Sequence, residues 1–269
     1  MTLLIDILKE RFPDMKRSSL LQLLSQERVS YEGFIITAPQ RVIAKPSQVD
    51  VGPRLQFLHK NVKILFSDNN LIVVEKPAGL LSVETDTSLR QSLHAVLKEE
   101  YHPHLIYVVH RLDRDVSGIM LYAKNQKAFA SLKKQLTERS LKREYGALVS
   151  GLMQEESGTW ESYLVEDLNL NVRSTNYGGE LARTHYDVIR RGSKSTLLKI
   201  ELDTGRKHQI RVHCKEAGYP LMGDKRYEGY EADRLMLHAT KLTFIHPTTE
   251  KKMFFTRPLP ESFNIWLGK

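Results

Sequence analysis

The chain has 269 residues, 41% of them hydrophobic and 27% charged, which suits one large domain, or a medium domain with a small companion, around a buried core. Its single cysteine, Cys214, excludes an intrachain disulfide and argues against thiolate metal sites, and no apolar run approaches the roughly 18 residues of a membrane helix. The net charge of +8 favours a polyanionic partner, and early acids without a small-residue cleavage site exclude a secretory signal, so a cytoplasmic location fits.

In chain order, "RSSLLQLLSQERV" places Leu20, Leu21, Leu23 and Leu24 at helical spacing. Ser19 and Gln22 have the spacing of a capping box, which predicts a helix starting there. "RVSYEGFIIT" reads as extended, with Gly33 as a turn signal, and "KPSQVDVGP" closes this unit. A small α+β module is therefore expected at residues 1–58, followed by a larger domain at 59–269. There, two extended runs flank Asp68-Asn69-Asn70, a hairpin signal. "SLRQSLHAVLKEEY" and "QKAFASLKKQLTER" read as amphipathic helices. "REYGALVSG", "THYDVIRRG", "STLLKIELDTG" and "MLHATKLTFIHP" read as strands. Strands and helices do not alternate strictly. The expected fold class is therefore α+β, with a mixed, mostly antiparallel sheet and flanking helices.

Two stretches carry candidate chemistry. In "VVHRLDRDVSGIMLYAKN" the charges of Arg111, Asp113, Arg114 and Asp115 lie between apolar runs, and Ser117-Gly118 is expected to turn the backbone tightly. The segment is either a turn of solvated ion pairs or a carboxylate presented from a core edge to a substrate. In "LDTGRKHQIRVHCKEAGYPLMGDKRY", Arg206, Lys207, His208, Arg211 and His213 crowd together while Ile210 and Val212 are apolar. That pattern fits a basic strand or helix start lining a groove, or a plain amphipathic edge. Cys214 is expected on a core or partly buried helix surface. Glycine-rich phosphate loops, a dinucleotide fingerprint and a serine nucleophile elbow are absent, so no cofactor and no metal is expected.

With these residues in view, the chain resembles the RluA-type RNA pseudouridine synthases over most of residues 62–264. "HRLDRDVSG" is similar to the family signature around its aspartate. "VVEKPAGLLSV", "LKREYGALVSG", "ARTHYDVI", "TGRKHQIRVH", "GYPLMGDKRY" and "LHATKLTFIHP" follow in the family's order. Residues 1–58 resemble the alpha-L type RNA-binding domain, with Glu27 and Glu32 where a Gly and an Asn are usual. Val116 and Lys207 also depart from the pattern, each replacing a common Thr or Ser.

The resemblance implies isomerisation of specific uridines in RNA to pseudouridine, without a cofactor, most naturally in large-subunit ribosomal RNA. By the same resemblance, Asp113 is the essential carboxylate, Arg211 its cationic partner, and Tyr145 the ring stacking on the target base. Arg111 lies near the flipped nucleotide, and Arg206, Lys207 and His208 contact RNA. A monomer without membrane partners is expected. A synthase directed at transfer RNA, and a non-catalytic RNA-binding assembly factor, are the alternatives.

Overall fold

The computed structural model describes residues 2–52, 56–58, 61–84, 92–168 and 170–268. The chain divides into two compact units, Met1–Leu55 with Pro258–Ile265, and Gln56–Arg257 with Trp266–Lys269. The segment from Pro258 joins the smaller unit through backbone pairing. Ile35 N–H donates to the Leu259 carbonyl, and Leu259 N–H to that of Gly33, each at 2.8 Å.

The smaller unit contains β1 (Thr2–Leu3), α1 (Leu4–Arg11), α2 (Arg17–Ser25), β2 (Val29–Tyr31), β3 (Phe34–Ile35), β4 (Val42–Ile43) and β5 (Val49–Val51). β1 pairs with β4, and β2 lies between β3 and β5. Leu20, Leu23 and Leu24 of α2 bury against Leu4, Leu8 and Val29, whereas Leu21 stays 38% exposed. The expected capping box is not formed: α2 starts at Arg17, Lys16 stands at the cap, and no side chain caps it. Ser19 instead lies inside the first turn, its N–H bonded to the Lys16 carbonyl. At the other end, Glu27 N–H reaches the Leu24 carbonyl and Arg28 N–H that of Leu23, with Glu27 at φ 53°. This closure favours glycine at the left-handed position. Glu32, at φ 50°, starts the β2–β3 turn with Gly33 at φ 81°. Both glutamates that depart from the usual Gly and Asn thus occupy left-handed backbone, where those two residue types are the cheapest.

The larger unit contains β6 (Gln56–Leu58), β7 (Val62–Ser67), β8 (Leu71–Lys76), α3 (Leu93–Glu100), β9 (Tyr107–Val108), β10 (Ser117–Ala123), α4 (Gln126–Thr137), β11 (Lys142–Ser150), β12 (Ser157–Glu166), β13 (Val172–Thr175), β14 (Glu180–Arg191), β15 (Ser195–Leu202), α5 (Gln209–Glu216), β16 (Leu237–Ile245) and β17 (Lys252–Thr256). Residues 88–91 of the expected first helix here lie outside the described residues; α3 begins after Ser92, whose side chain accepts from Ala95 N–H. The strands form one sheet in the order β13-β12-β14-β15-β11-β16-β10-β8-β7-β6, with β9 on β10 and β17 on β16. Only the β10–β16 pair is parallel among these described pairings. The fold is α+β with a mixed, mostly antiparallel sheet, as expected.

Alternation along β8 divides its side chains between two buried clusters. Leu71 and Val73 of β8 pack with Ala128 and Leu132 of α4 on one face. Ile72 and Val74 face the other way, into the cluster that includes Leu93 and Leu97 of α3. The β7–β8 hairpin forms where the sequence signalled it, with Asp68 Oδ1 accepting from the N–H groups of Asn70 and Leu71.

Gly118 is not a turn residue, contrary to expectation. It lies within β10 at φ 119°, opposite Ala239 of the parallel neighbour, and a Cβ there would fall 2.4 Å from the Ala239 carbonyl oxygen. Its lack of a side chain permits this close backbone approach. The junction sets the loop before β10 beside β16, and β16 in turn pairs with β11.

Candidate active site

The loop between β9 and β10 holds the charged stretch and is anchored from below. Val109 and Val116 are buried, as is His110, whose Nε2 accepts from Leu121 N–H at 3.2 Å. That bond leaves the proton on Nδ1 of the neutral ring. Burial, with Arg143 and Lys133 nearby, pushes His110 down to about 3. Ser82 clips the backbone of Leu112, donating to its carbonyl at 2.6 Å and accepting from its N–H at 3.1 Å. Lys76, fully buried at the end of β8, gives its three ammonium donors to the carbonyls of Pro77 at 3.0 Å, Leu80 at 2.6 Å and Arg114 at 2.8 Å. Burial pushes its pKa down to about 7, against the pull of Asp115 and Asp113. The apolar flanks thus hold a loop whose charged side chains remain at the rim.

Asp113 retains 25% side-chain exposure, and its Oδ2 accepts from Arg211 Nη1 at 3.3 Å. Arg211 itself is buried. Its Nε and Nη2 form a fork on the two oxygens of Asp224, at 2.7 and 2.8 Å. Asp224 is also buried, and its Oδ1 accepts from the N–H groups of Arg226 and Tyr227. The Arg211 guanidinium lies 5.0 Å from the centre of the Tyr227 ring, a cation–π contact. One cation therefore serves two carboxylates, the inner through two bonds and the outer through one.

Tyr145 lies on β11 between Ile200 and Ala239, where the register with β16 slips by one residue. It is buried, and burial, with Asp113 nearby, raises its phenol pKa despite the pull of Arg143. Asp113, Tyr145, Arg211, Arg111, Arg206 and His208 line one recess. An adjoining wider cleft brings in Lys207, Lys225, Arg226 and Arg234.

The remaining sequence candidates differ in their surroundings. Arg111 is exposed at the mouth. Arg206 pairs with Glu180 at 2.6 Å and donates to the Leu181 carbonyl. Lys207 pairs with Glu166. His208 immediately precedes α5, its Nδ1 bonded to the Tyr227 hydroxyl at 2.8 Å. Ile210 and Val212 bury, as the helix-start reading requires. Sequence reasoning singled out neither Asp224 nor Lys76. The available signals were weak: one acid among the basic and apolar residues of "GYPLMGDKRY", and a lysine closing an apolar strand before Pro77. No cluster of three or more His, Cys, Asp or Glu side chains that could hold a metal occurs among the described residues.

Residues 70–216 match the family model described as RNA pseudouridylate synthase. An uncharacterized RNA pseudouridine synthase of Mycoplasma genitalium is 34% identical to this chain, covering 90% of it and 82% of the relative. The ribosomal large subunit pseudouridine synthase D of Nitrosomonas europaea is 33% identical, covering 94% of this chain and 80% of the relative. Among solved structures, human RNA pseudouridylate synthase domain containing 1 shares the fold, with a TM-score of 0.62 at 24% identity over 74% of this chain and 84% of its own.

Proposed function

This chain belongs to the RNA pseudouridylate synthase family and isomerises uridine in RNA to pseudouridine; on that premise we propose that Asp113, Arg211 and Tyr145 carry the reaction on large-subunit ribosomal RNA. The observation that carries the assignment is the hydrogen bond from Arg211 to Asp113 in a recess that Tyr145 also lines. The guanidinium holds Oδ2 of that carboxylate through a charge-assisted hydrogen bond. Asp113 then acts at the ribose, either by attack on the anomeric carbon or by promoting elimination. The detached uracil turns, rejoins through C5, loses the C5 proton and gains one at N1, so the product is an isomer. Tyr145, with its phenol protonated at neutral pH, stacks on the base.

The target nucleotide must leave its stack, which costs a few kcal/mol. Arg111 stands at the mouth to occupy the vacated space, while Arg206, Lys207 and His208 line the approach for RNA. The N-terminal unit serves as an alpha-L type RNA-binding domain in this reading; the left-handed Glu27 and Glu32 support the likeness. Ribosomal RNA as the target is supported by relatives named as large-subunit ribosomal synthases. The enzyme works as a cytoplasmic monomer in this reading.

Pseudouridine mapping in a strain carrying Asp113→Asn in place of the wild-type chain tests this function. The expected result is loss of one or more pseudouridines from large-subunit ribosomal RNA, with the purified variant retaining wild-type RNA affinity within about twofold. An unchanged modification map rejects the assignment of Asp113. Loss confined to transfer RNA rejects the ribosomal target.

A further inference from the structure

His208 occupies a backbone conformation that few residue types adopt readily, with φ 53° and ψ 14° just ahead of α5. Such geometry at a non-glycine residue persists where its surroundings hold it. Here the side chain does so. It is 11% exposed, and the ring meets Tyr227 edge-on at 5.6 Å between centroids. The Tyr227 hydroxyl donates to the Val172 carbonyl at 3.2 Å, so toward His208 it acts as an acceptor. With the hydroxyl hydrogen on Val172, the 2.8 Å bond between them takes its hydrogen from His208 Nδ1, the tautomer on which the inference rests.

Nε2 is left facing Asp113, 3.8 Å from Oδ2, the same oxygen that takes the single bond from Arg211. In the neutral ring Nε2 offers a lone pair to a carboxylate lone pair, and the two do not bond. One proton taken from solvent onto Nε2 turns this contact into an ion pair, which becomes a charge-assisted hydrogen bond as the two atoms draw together from 3.8 Å. No other bond forms or breaks in that step.

We propose that His208 is a proton-operated lock on Asp113: neutral, it leaves the carboxylate to the substrate; protonated, its Nε2–H pairs with Oδ2 and withdraws that oxygen from the ribose. His208 acts through Asp113 and is a positioning residue. The role rests on Asp113 being the reactive carboxylate. The groups facing the ring are Asp113 from the loop before β10, Arg211 from α5, adjacent Lys207, and Arg226 and Tyr227 from the segment after Gly223. Burial holds the imidazole below its usual pKa; Asp113 opposes this, while Arg211, Lys207 and Arg226 reinforce it. The lock is thus open at neutral pH and closes in acid.

Two measurements test the lock on the full-length chain. By NMR of the ring nitrogens and carbon-bound protons, neutral His208 carries its proton on Nδ1, and Asp113→Asn lowers its titration midpoint by roughly one pH unit or more. A midpoint indifferent to Asp113→Asn, or a proton on Nε2, overturns the proposal. Single-turnover tritium release from ribosomal transcripts labelled at uridine C5 then compares wild type with His208→Asn, since asparagine tolerates the left-handed backbone. One pH unit below the His208 midpoint, the wild type falls to about one-tenth of its plateau, whereas the variant keeps most of its own. Coincident profiles also overturn the lock. Absence of tritium release from the wild type with every transcript, at every pH, rejects the functional reading instead, and the NMR arm still judges the contact.

Discussion

Asp224 grips Arg211 by both arms of its fork, and this grip aims the remaining Nη1–H at Asp113. Without it, the guanidinium is free to turn and close a two-bond pair on Asp113 instead. Asp224→Asn keeps the shape but presents an amide N–H₂ to a buried cation. Removing one partner of a buried pair costs about 3–5 kcal/mol, and a misplacement near 1 Å lowers turnover by about 100-fold. Urea unfolding should show the first loss and single-turnover tritium release the second, with RNA affinity retained. Wild-type turnover in a folded Asp224→Asn protein would mean that Arg211 needs no such guide.

Glu166 and Glu180 pair with Lys207 and Arg206, the cations proposed to meet RNA phosphates on the approach to the recess. Exposed pairs of this kind contribute about 0.2–1 kcal/mol each, and RNA must replace them to engage Lys207 and Arg206. Glu166→Gln with Glu180→Gln should tighten ribosomal RNA binding by about two- to thirtyfold. It should also steepen the salt dependence by up to about 0.7–0.9 per released cation. Fluorescence anisotropy at several salt concentrations measures both. Unchanged affinity and slope would show that the RNA path avoids these side chains.

His110 makes folding sensitive to acid. Its folded pKa of about 3 lies below the ordinary 6.5, so between these values the unfolded chain binds the extra proton. Its contribution is fully present above about pH 6.5 and declines as pH falls, by at most about 1.4 kcal/mol per unit. His110→Gln keeps an acceptor for Leu121 N–H and removes the titration. Urea unfolding at pH 6, 5 and 4 should therefore give a shallower loss for the variant. Parallel losses would contradict a neutral, buried His110.

Much of the architecture was legible in the chain because it depends on near neighbours. Sequence patterns located β7, β8, β11, β14, β15, β16, α3 and α4 of the larger unit but not β12, β13 or β17, and Asp68 marked the β7–β8 hairpin. The α2 start was misread because Ser19 has a capping spacing, while the packing of Leu20, Leu23 and Leu24 extends the helix back to Arg17. At Gly118, residue type correctly signalled an unusual backbone. The sequence nevertheless held no sign that Ala239, far along the chain, would press against it.

The same division runs through the candidate active site. Motif order pointed to Asp113, Tyr145 and Arg211, and the identity of each side chain, with its available donors, acceptors and ring, follows from sequence alone. Pairing was decided by tertiary structure. Arg211 reaches across 98 positions to Asp113 and across 13 to Asp224, Lys76 holds a carbonyl 38 positions away, and Lys207 meets a glutamate 41 positions back. A charge in a sequence has no partner until folding chooses which distant surfaces become adjacent and dry. Burial and hydrogen-bond direction, set at that moment, determine that Asp224 holds the cation by two bonds in the interior while Asp113 holds it by one and stays partly exposed.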